Sequence, residues 1–251
     1  MELARLSWPD ARDAIRQARV ALLPVGAMEQ HGLHLPLGTD WYIASHIAQE
    51  TAEQDGLLLL PGFPVGVSHE HRQFWGTLTV SPNQLRNQAI DVVRSLAAHD
   101  LQRIVFVNGH ASNCGPLDEA ARHLREDGIH VFVFNWWLSI VSTIAELFPE
   151  PTAHAGSLET SLMLVIDPDL VREERFDKAS ESTEWGAYVQ GVQVGFDVAD
   201  FSDQGNVGDP RLADVENGMR VLMAARESLS RFCVWLSERS DEELASAPHK
   251  E

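Results

Sequence analysis

The sequence predicts an α/β protein with a mostly parallel central sheet and helices on both of its faces. Short apolar runs alternate along the chain with longer segments whose apolar residues recur at helical spacing. Strand–helix alternation of this kind is typical of parallel strands joined by crossover helices. The length of 251 residues and the hydrophobic content of 44% suffice for a continuous core, and we interpret residues 1–251 as one domain.

The first half of the chain begins with two predicted strands. Val20–Val25 is a continuous apolar run, which is typical of a buried strand. A helix follows Thr39, and Leu57–Leu60 forms the second strand, which ends at a Pro-Gly pair. Ser81 and Pro82 begin the next helix, because serine caps a helix N-terminus and proline suits its first position.

The second half continues the alternation. Arg103–Val107 is a β-branched strand, and a helix is predicted from about Pro116 to Glu126. Val131–Phe134 is the next strand, and the last helix is predicted over Asp209–Leu236. The segment 167–208 is the least periodic, and we interpret it as an excursion from the same domain.

Charge and composition restrict the class of partner. The chain carries 19 Lys and Arg against 37 Asp and Glu, a formal net charge of −18. A field of that sign repels nucleic-acid phosphates and anionic lipids, so we expect neither nucleic acid nor a membrane as partner. The two cysteines lack zinc-knuckle spacing, and neither a secretory signal nor an 18-residue apolar segment occurs. These observations predict a cytoplasmic protein, and the charge does not exclude a small anionic substrate held by a metal.

One polar segment directly follows the first predicted strand. It contains Glu29, His31, His34 and Asp40 among several glycines. Loops beyond the carboxyl ends of parallel strands commonly hold ligands, and carboxylate with imidazole is a ligand set for Zn, Mn or Fe. A polar loop whose histidines only bond backbone groups is the alternative interpretation.

Two later segments carry the same kinds of side chain. Asn108-Gly109-His110 ends the strand over Arg103–Val107, so His110 is expected at the same sheet edge as the first segment. His154 lies among small residues that would let a substrate approach. Glu159 follows at the start of a helical run, where it could also be only a partner of the helix dipole.

These segments, in this order, resemble motifs of the creatininase (creatinine amidohydrolase) family. The family patterns are E-Q-H-G-x-H-x-x-x-x-x-D, S-x-E-H-x-x-F-P-G-T with Trp75 in place of the proline, N-G-H, H-x-G-x-x-E-T-S and G-D-P. The matching segments are Glu29–Asp40, Ser68–Thr77, Asn108–His110, His154–Ser161 and Gly208–Pro210.

The resemblance implies a three-layer α/β/α sandwich and a homo-oligomer, often a hexamer. It also implies a hydrolase that cleaves C–N bonds other than ordinary peptide bonds in a small substrate, such as a cyclic amide or a formamide. The hydrolase would use two divalent ions (Zn, Mn or Fe) and a metal-bound hydroxide. By that similarity Glu29, Asp40 and His110 would hold one ion, and His31 would share Asp40 to hold the second.

The resemblance further implies catalytic roles for His154 and Glu159 and substrate contacts for His71, Ser112 and Trp137. Ser112 is a departure, because creatinine-cleaving members have a glutamate ligand there. We expect the second metal site to be weaker, to be filled by water, or to be completed by Glu159. A Glu-Pro pair at residues 150–151 also replaces the Trp-Asp pair of the creatinine-cleaving members.

Other substrates and roles therefore stay open. Relatives with a small residue after N-G-H include formamide deformylases of flavin and deazaflavin biosynthesis and the peptidase of mycofactocin maturation. A deformylase acting on a phosphorylated pyrimidine needs cations near the metals, and Arg72 and Arg211 are the nearest candidates in motif order. A non-catalytic metal-binding protein of the same fold is the rival from another class.

Overall fold

A computed structural model describes residues 1–247 of the chain. Its first part alternates helices and strands that enter one sheet. These elements are α1 (Trp8–Gln17), β1 (Ala21–Val25), α2 (Thr39–Asp55), β2 (Leu58–Leu59), α3 (Pro82–Ala97), β3 (Arg103–Asn108), α4 (Cys114–Glu126) and β4 (His130–Asn135).

The remainder adds helices and a separate hairpin. These elements are α5 (Trp136–Ser139), α6 (Val141–Leu147), α7 (Ser157–Ile166), β5 (Ala187–Val189), β6 (Val192–Gly195), α8 (Val215–Glu238) and α9 (Asp241–Leu244). The hairpin β5–β6 is antiparallel and turns at Gln190 and Gly191, whose φ angles are 51° and 81°. Positive φ at both turn residues suits the twist of a tight hairpin.

The four strands of the central sheet are all parallel, in the order β2-β1-β3-β4. Val25 pairs with Asn108, and Asn108 pairs with Asn135, so β1, β3 and β4 end at the same level. The polar segments that follow β1 and β3 therefore leave the sheet side by side, as the strand order requires.

Each face of the sheet carries its own apolar core, which makes three layers. Leu22 and Val105 pack with α2, α7 and α8 on one face. Leu23 and Phe106 pack with α3 and α4 on the other. Neighbouring residues of a strand point to opposite faces, so a strand buried on both sides must be apolar throughout. The α/β/α prediction is confirmed.

The predicted strands and most helices agree with the structure to within a few residues, and Ser81 caps α3 by accepting the N–H of Gln84 at 3.2 Å. The prediction of a last helix over Asp209–Leu236 was wrong at its start. Asp209 and Pro210 begin a short 3-10 turn, and Asp214 caps α8 by accepting the N–H of Asn217 at 2.7 Å. A second capping residue thus separates two elements that the sequence pattern had merged.

Among the described residues, no helix combines the length and the apolar character that crossing a bilayer requires.

Two glycines of the second polar segment provide a test of how tightly the sheet edge is packed. A Cβ atom at Gly109 would lie 2.3 Å from the backbone oxygen of Asp40, whereas one at Gly115 in α4 would meet nothing within 4 Å. We expect Gly109→Ala to lower the free energy of unfolding by more than about 2 kcal/mol, because backbone must move. Gly115→Ala should change it by less than about 1 kcal/mol. Urea unfolding measures both, and equal effects would contradict the packing described.

Candidate active site

Four side chains from the first two polar segments meet in the interior at the carboxyl end of the sheet. Glu29 and His31 lie in the loop after β1, Asp40 lies in the first turn of α2, and His110 follows β3. Their exposed fractions are 0%, 1%, 2% and 8%. Charged groups are rarely buried to this extent without a partner, so their mutual arrangement decides what the site can do.

The first group consists of Glu29, Asp40 and His110. The His110 ring lies between the two carboxylates, with Nε2 at 3.2 Å from Glu29 Oε2 and Nδ1 at 3.2 Å from Asp40 Oδ2. One potential ligand atom from each of the three residues lies within 4.8 Å of the others. This is the trio that the sequence predicted for one ion.

The second group consists of His31, Asp40 and Glu159, which lies in the first turn of α7. His31 Nε2 is 3.4 Å from Asp40 Oδ1 and 3.8 Å from Glu159 Oε2. Asp40 therefore directs Oδ1 to this group and Oδ2 to the first one. Glu29, His31 and His154 form a third possible group.

The donor atoms of these groups are suited to divalent cations. Both Glu29 oxygens, Asp40 Oδ2, His31 Nε2 and His110 Nε2 are buried and lack a hydrogen-bond partner. Buried polar atoms without partners are costly, by about 1–3 kcal/mol each and more when charged. Oxygen and imidazole nitrogen are ligands for Zn and Mn, so a cation would satisfy the atoms that the protein leaves unpaired.

In the absence of metal the groups hold protons. Burial disfavours charge on His31, but the Asp40 carboxylate outweighs it and raises the pKa of His31 to about 9. Burial likewise opposes charge on His110, yet Glu29 and Asp40 raise its pKa to about 10. Burial raises the pKa of Glu29 to about 8. Burial opposes ionisation of Asp40, and His31 and His110 nevertheless hold its pKa below the ordinary range.

Gln30 fixes two further imidazoles beside the groups. Its Nε2 donates to His71 Nδ1 at 2.7 Å and to the Gly205 carbonyl at 3.0 Å, which uses both amide hydrogens. His154 Nε2 lies 2.9 Å from the backbone carbonyl oxygen of Gln30 and donates its hydrogen to it. The other ring nitrogen, Nδ1, therefore carries the lone pair. That Nδ1 faces Glu29 Oε1 at 3.9 Å.

Burial also sets the charge of these two rings. It lowers the pKa of His71 to about 3, with His110 contributing, and lowers that of His154 well below its ordinary value, with His31 contributing. Both rings are therefore neutral at neutral pH. His154 precedes Ala155, whose φ is 48° and whose N–H donates to Glu159 Oε2 at 2.6 Å. The backbone on either side of His154 is thus held in place.

A cavity of about 680 Å³ opens over the two groups. Asp40, His110, His154 and Glu159 lie at its inner end. Its wall is mainly apolar, and the aromatic and aliphatic side chains that form it are Trp136, Trp137, Leu138, Val141, Ile144, Leu158, Trp185 and Phe196. Trp185 packs against His71 and His154, with ring centroids 6.0 and 5.8 Å apart. Among the described residues, those lining the cavity include no lysine or arginine.

The structure brings together all of the predicted site residues. His71, Ser112 and Trp137, expected to contact substrate, line the cavity, and Glu29 and His31 lie directly beneath its floor. His34 does not join the groups, because its ring bonds Thr160 Oγ1 at 2.9 Å and packs edge-on against Phe176. The roles assigned to these residues stay predictions.

The deformylase alternative needs cations near the metals, and the structure places its two candidate arginines elsewhere. Arg72, proposed as a candidate phosphate partner, pairs with Asp197 at 2.6 Å, and Arg211 pairs with Asp209 at 2.7 Å. Neither arginine lines the cavity. Motif order along the chain does not decide which side chains line a cavity. Each of these arginines instead forms an ion pair with a nearby aspartate.

Sequence reasoning missed Gln30, Glu70, Trp185 and Phe196. Trp185 and Phe196 belong to the aperiodic segment, where no spacing indicates which side chains face inward. Glu70 accepts a hydrogen bond from Ser112 Oγ and lines the cavity. Of these four residues, only Gln30 and Glu70 could have been identified from the sequence, because they lie inside the family motifs.

Comparison with known proteins gives concordant results. The model of the Creatininase family, described as creatinine amidohydrolase, matches residues 4–233. A mycofactocin precursor peptide peptidase of Mycobacterium ulcerans (strain Agy99) is 34% identical over 85% of this chain and 84% of its own. A creatinine amidohydrolase of Pseudomonas putida is 35% identical over 69% and 74%. A 2-amino-5-formylamino-6-ribosylaminopyrimidin-4(3H)-one 5'-monophosphate deformylase of Methanobrevibacter smithii is 26% identical over 82% and 83%.

Solved structures agree with the fold. A structure described as "Creatininase Mn" superposes with a TM-score of 0.82 at 27% identity, over 95% of this chain and 99% of its own. A mutant creatininase described as "Zn-Zn type" gives a TM-score of 0.80 at 28% identity, over 95% and 98%. These proteins carry Mn or Zn by their descriptions.

Metal binding should release protons, since His31, His110 and Glu29 hold them near neutral pH in the metal-free chain. Their raised pKa values of about 9, 10 and 8 mean that affinity for Mn²⁺ or Zn²⁺ rises as the pH rises from 6.5 to 8.5. We expect release of about two to three protons per loaded chain at pH 7. Calorimetric titration in buffers of different ionisation enthalpy counts them, and a heat independent of the buffer would contradict the assignment.

Proposed function

This chain belongs to the creatininase family of hydrolases, and from that membership we propose a two-metal amidohydrolase that cleaves the C–N bond of an amide bearing an apolar group. The observation that carries the proposal is the Asp40 carboxylate. Its two oxygens face two separate imidazoles, with His31 Nε2 at 3.4 Å and His110 Nδ1 at 3.2 Å. A carboxylate in that position is suited to lie between two divalent ions.

Each ion would have three protein ligands. Glu29, Asp40 and His110 would hold one, and His31, Asp40 and Glu159 would hold the other. Mn and Zn are supported by the descriptions of similar structures, and the same nitrogen and oxygen donors would also suit Fe. When bound, the ions would polarise the amide oxygen and lower the pKa of a water molecule.

His154 is positioned to move the proton. Its Nε2 donates a hydrogen bond to the backbone carbonyl of Gln30, so only Nδ1 is free to accept a proton at the inner end of the cavity. The ring is neutral at neutral pH, which is the form required to take a proton from water. The same nitrogen would then donate that proton to the leaving nitrogen of the amide.

The cavity wall favours an apolar amide over a phosphorylated one. A volume of about 680 Å³ lies in the range that holds drug-sized ligands. Its lining, in the part of the chain that the structure describes, offers aromatic faces but no lysine or arginine for a phosphate group. The deformylase alternative, whose described relative acts on a monophosphate, is therefore less well supported than an amide with an apolar side chain.

A peptidase is the second candidate function, and the length of the apolar wall favours it. Trp137, Leu138 and Val141 extend from the inner end to the mouth, where Leu138 and Val141 are 61% and 64% exposed. A short apolar peptide would cover these side chains, whereas a small cyclic amide would leave them in water. The relative described as a peptide peptidase is similar over most of this chain.

The substrate size, the oligomeric state, the partners and the location are also proposals. A small-molecule substrate and a homo-oligomer follow from the family resemblance, and the absence of nucleic-acid and membrane partners follows from the net charge of −18. A cytoplasmic location, the extent of the domain and the hexamer stay predictions. A non-catalytic role is disfavoured, because metal storage does not require the apolar cavity of about 680 Å³ that opens over the metal groups.

The direct test is a screen of amides with protein loaded with Mn²⁺ or Zn²⁺. We expect metal-dependent release of an amine from small amides with an apolar group, lost on chelation. Cleavage of peptide bonds in short apolar peptides would select the peptidase, release of formate from formamides the deformylase alternative, and release of creatine from creatinine the creatinine-cleaving activity. Absence of turnover on all four classes would contradict the proposed function.

Two substitutions separate metal binding from proton transfer. Asp40→Asn should reduce metal content to less than one ion per chain and abolish hydrolysis, because both groups lose a carboxylate. His154→Ala should keep the metal and lower turnover by at least about 100-fold. Elemental analysis with the amide assay measures both, and Asp91→Asn on the exposed face of α3 is the control. Loss of metal in His154→Ala would instead make His154 a ligand.

A further inference from the structure

We propose that Glu70 binds a cationic nitrogen group of the substrate, such as a protonated amine. Glu70 lies between β2 and α3 in a short 3-10 turn that spans His69–His71. Its carboxylate lines the cavity beside Ser112. The inference rests on the proposed function only in taking this cavity as the substrate site.

The contacts of Glu70 hold its carboxylate at the cavity. Oε1 accepts the hydrogen of Ser112 Oγ, a neutral partner, and lies 3.8 Å from His110 Nε2. Its side chain is 19% exposed. Within the described ranges of the chain, no lysine or arginine lines the cavity to pair with Glu70.

The other two carboxylates of the cavity have a different use. Asp40 and Glu159 belong to the groups of potential metal ligands, so metal ions would neutralise their charge. Glu70 belongs to none of these groups of described residues. Glu70 is therefore the carboxylate available to the substrate. A carboxylate beside an apolar wall strongly favours a charged N–H donor, because few water molecules compete for the hydrogen bond.

The rest of the cavity and the whole chain agree with a cationic substrate. Trp137 and Trp185 offer aromatic faces, which attract ammonium and guanidinium groups as well as apolar carbon. The net charge of −18 attracts cations toward the protein and repels anions. The substrate class that fits is an amide with an apolar body and a positively charged nitrogen near the scissile bond.

The test compares two ligands that differ only in the charged group. Metal-loaded protein is titrated with 2-phenylethylamine, a cation at pH 7, and with the neutral 2-phenylethanol, with tryptophan fluorescence as readout. We expect the wild-type chain to bind the amine at least about 10-fold more tightly. Glu70→Gln should reduce that preference to about threefold or less, because an amide cannot replace the carboxylate as the partner of an ammonium group.

Glu150→Gln is the matched control. Glu150 also accepts a serine hydroxyl, that of Ser157 at 2.5 Å, but it does not line the cavity. It should keep the preference of the wild-type chain, and elemental analysis should find full metal content in both variants. Equal binding of the two ligands by the wild-type chain, or an unchanged preference in Glu70→Gln, would overturn the inference. Metal loss confined to Glu70→Gln would also overturn it, by making Glu70 a ligand.

These outcomes are separate from those of the proposed function. Ligand binding requires no turnover, so a chain that binds the amine through Glu70 but hydrolyses no amide would contradict the proposed function alone. A chain that hydrolyses amides without distinguishing charged from neutral ligands would contradict the role of Glu70 alone.

Discussion

The burial of Glu29 and Asp40 is the constraint on which the rest of the structure depends. These carboxylates are 0% and 2% exposed, and three of their four oxygens lack a hydrogen-bond partner. Removing such groups from water costs several kcal/mol each unless opposite charge compensates. In the metal-free chain His31 and His110 supply that charge to Asp40 as protonated rings, and Glu29 holds a proton. Two divalent ions would supply it in the active one, and Glu29, His31 and His110 would then bind metal instead of protons.

The fold places these charges by simple means. The parallel strands β1 and β3 end at paired residues, which brings the loops that follow them together. A close backbone contact at Gly109 packs the second loop against the first turn of α2. Asn108 fixes this junction by accepting the N–H of His110 at 3.1 Å and donating to its carbonyl at 2.8 Å. The potential metal ligands therefore lie on hydrogen-bonded backbone, while the aperiodic segment with Trp185 and Phe196 contributes to the cavity wall.

The inner half of this arrangement could be predicted from the sequence, and the outer half could not. Buried strands are uniformly apolar and polar loops follow them, so Glu29, Asp40 and His110 could be placed at one edge before the structure was known. Glu159 was expected there, and it faces His31 at 3.8 Å. Trp185 and Phe196 had no such rule, because long-range packing alone decides that they enter the cavity. The start of α8 was misjudged for a related reason, since Asp209 and Asp214 are both good capping residues and only tertiary structure selects between them.

The central claim is that Asp40 lies between two divalent ions. Anomalous diffraction from crystals of the metal-loaded protein, recorded at the absorption edge of the metal, tests it most directly. The account predicts two peaks about 3.5–4 Å apart, with one Asp40 oxygen beside each. A single peak, or two peaks that do not share Asp40, would contradict it.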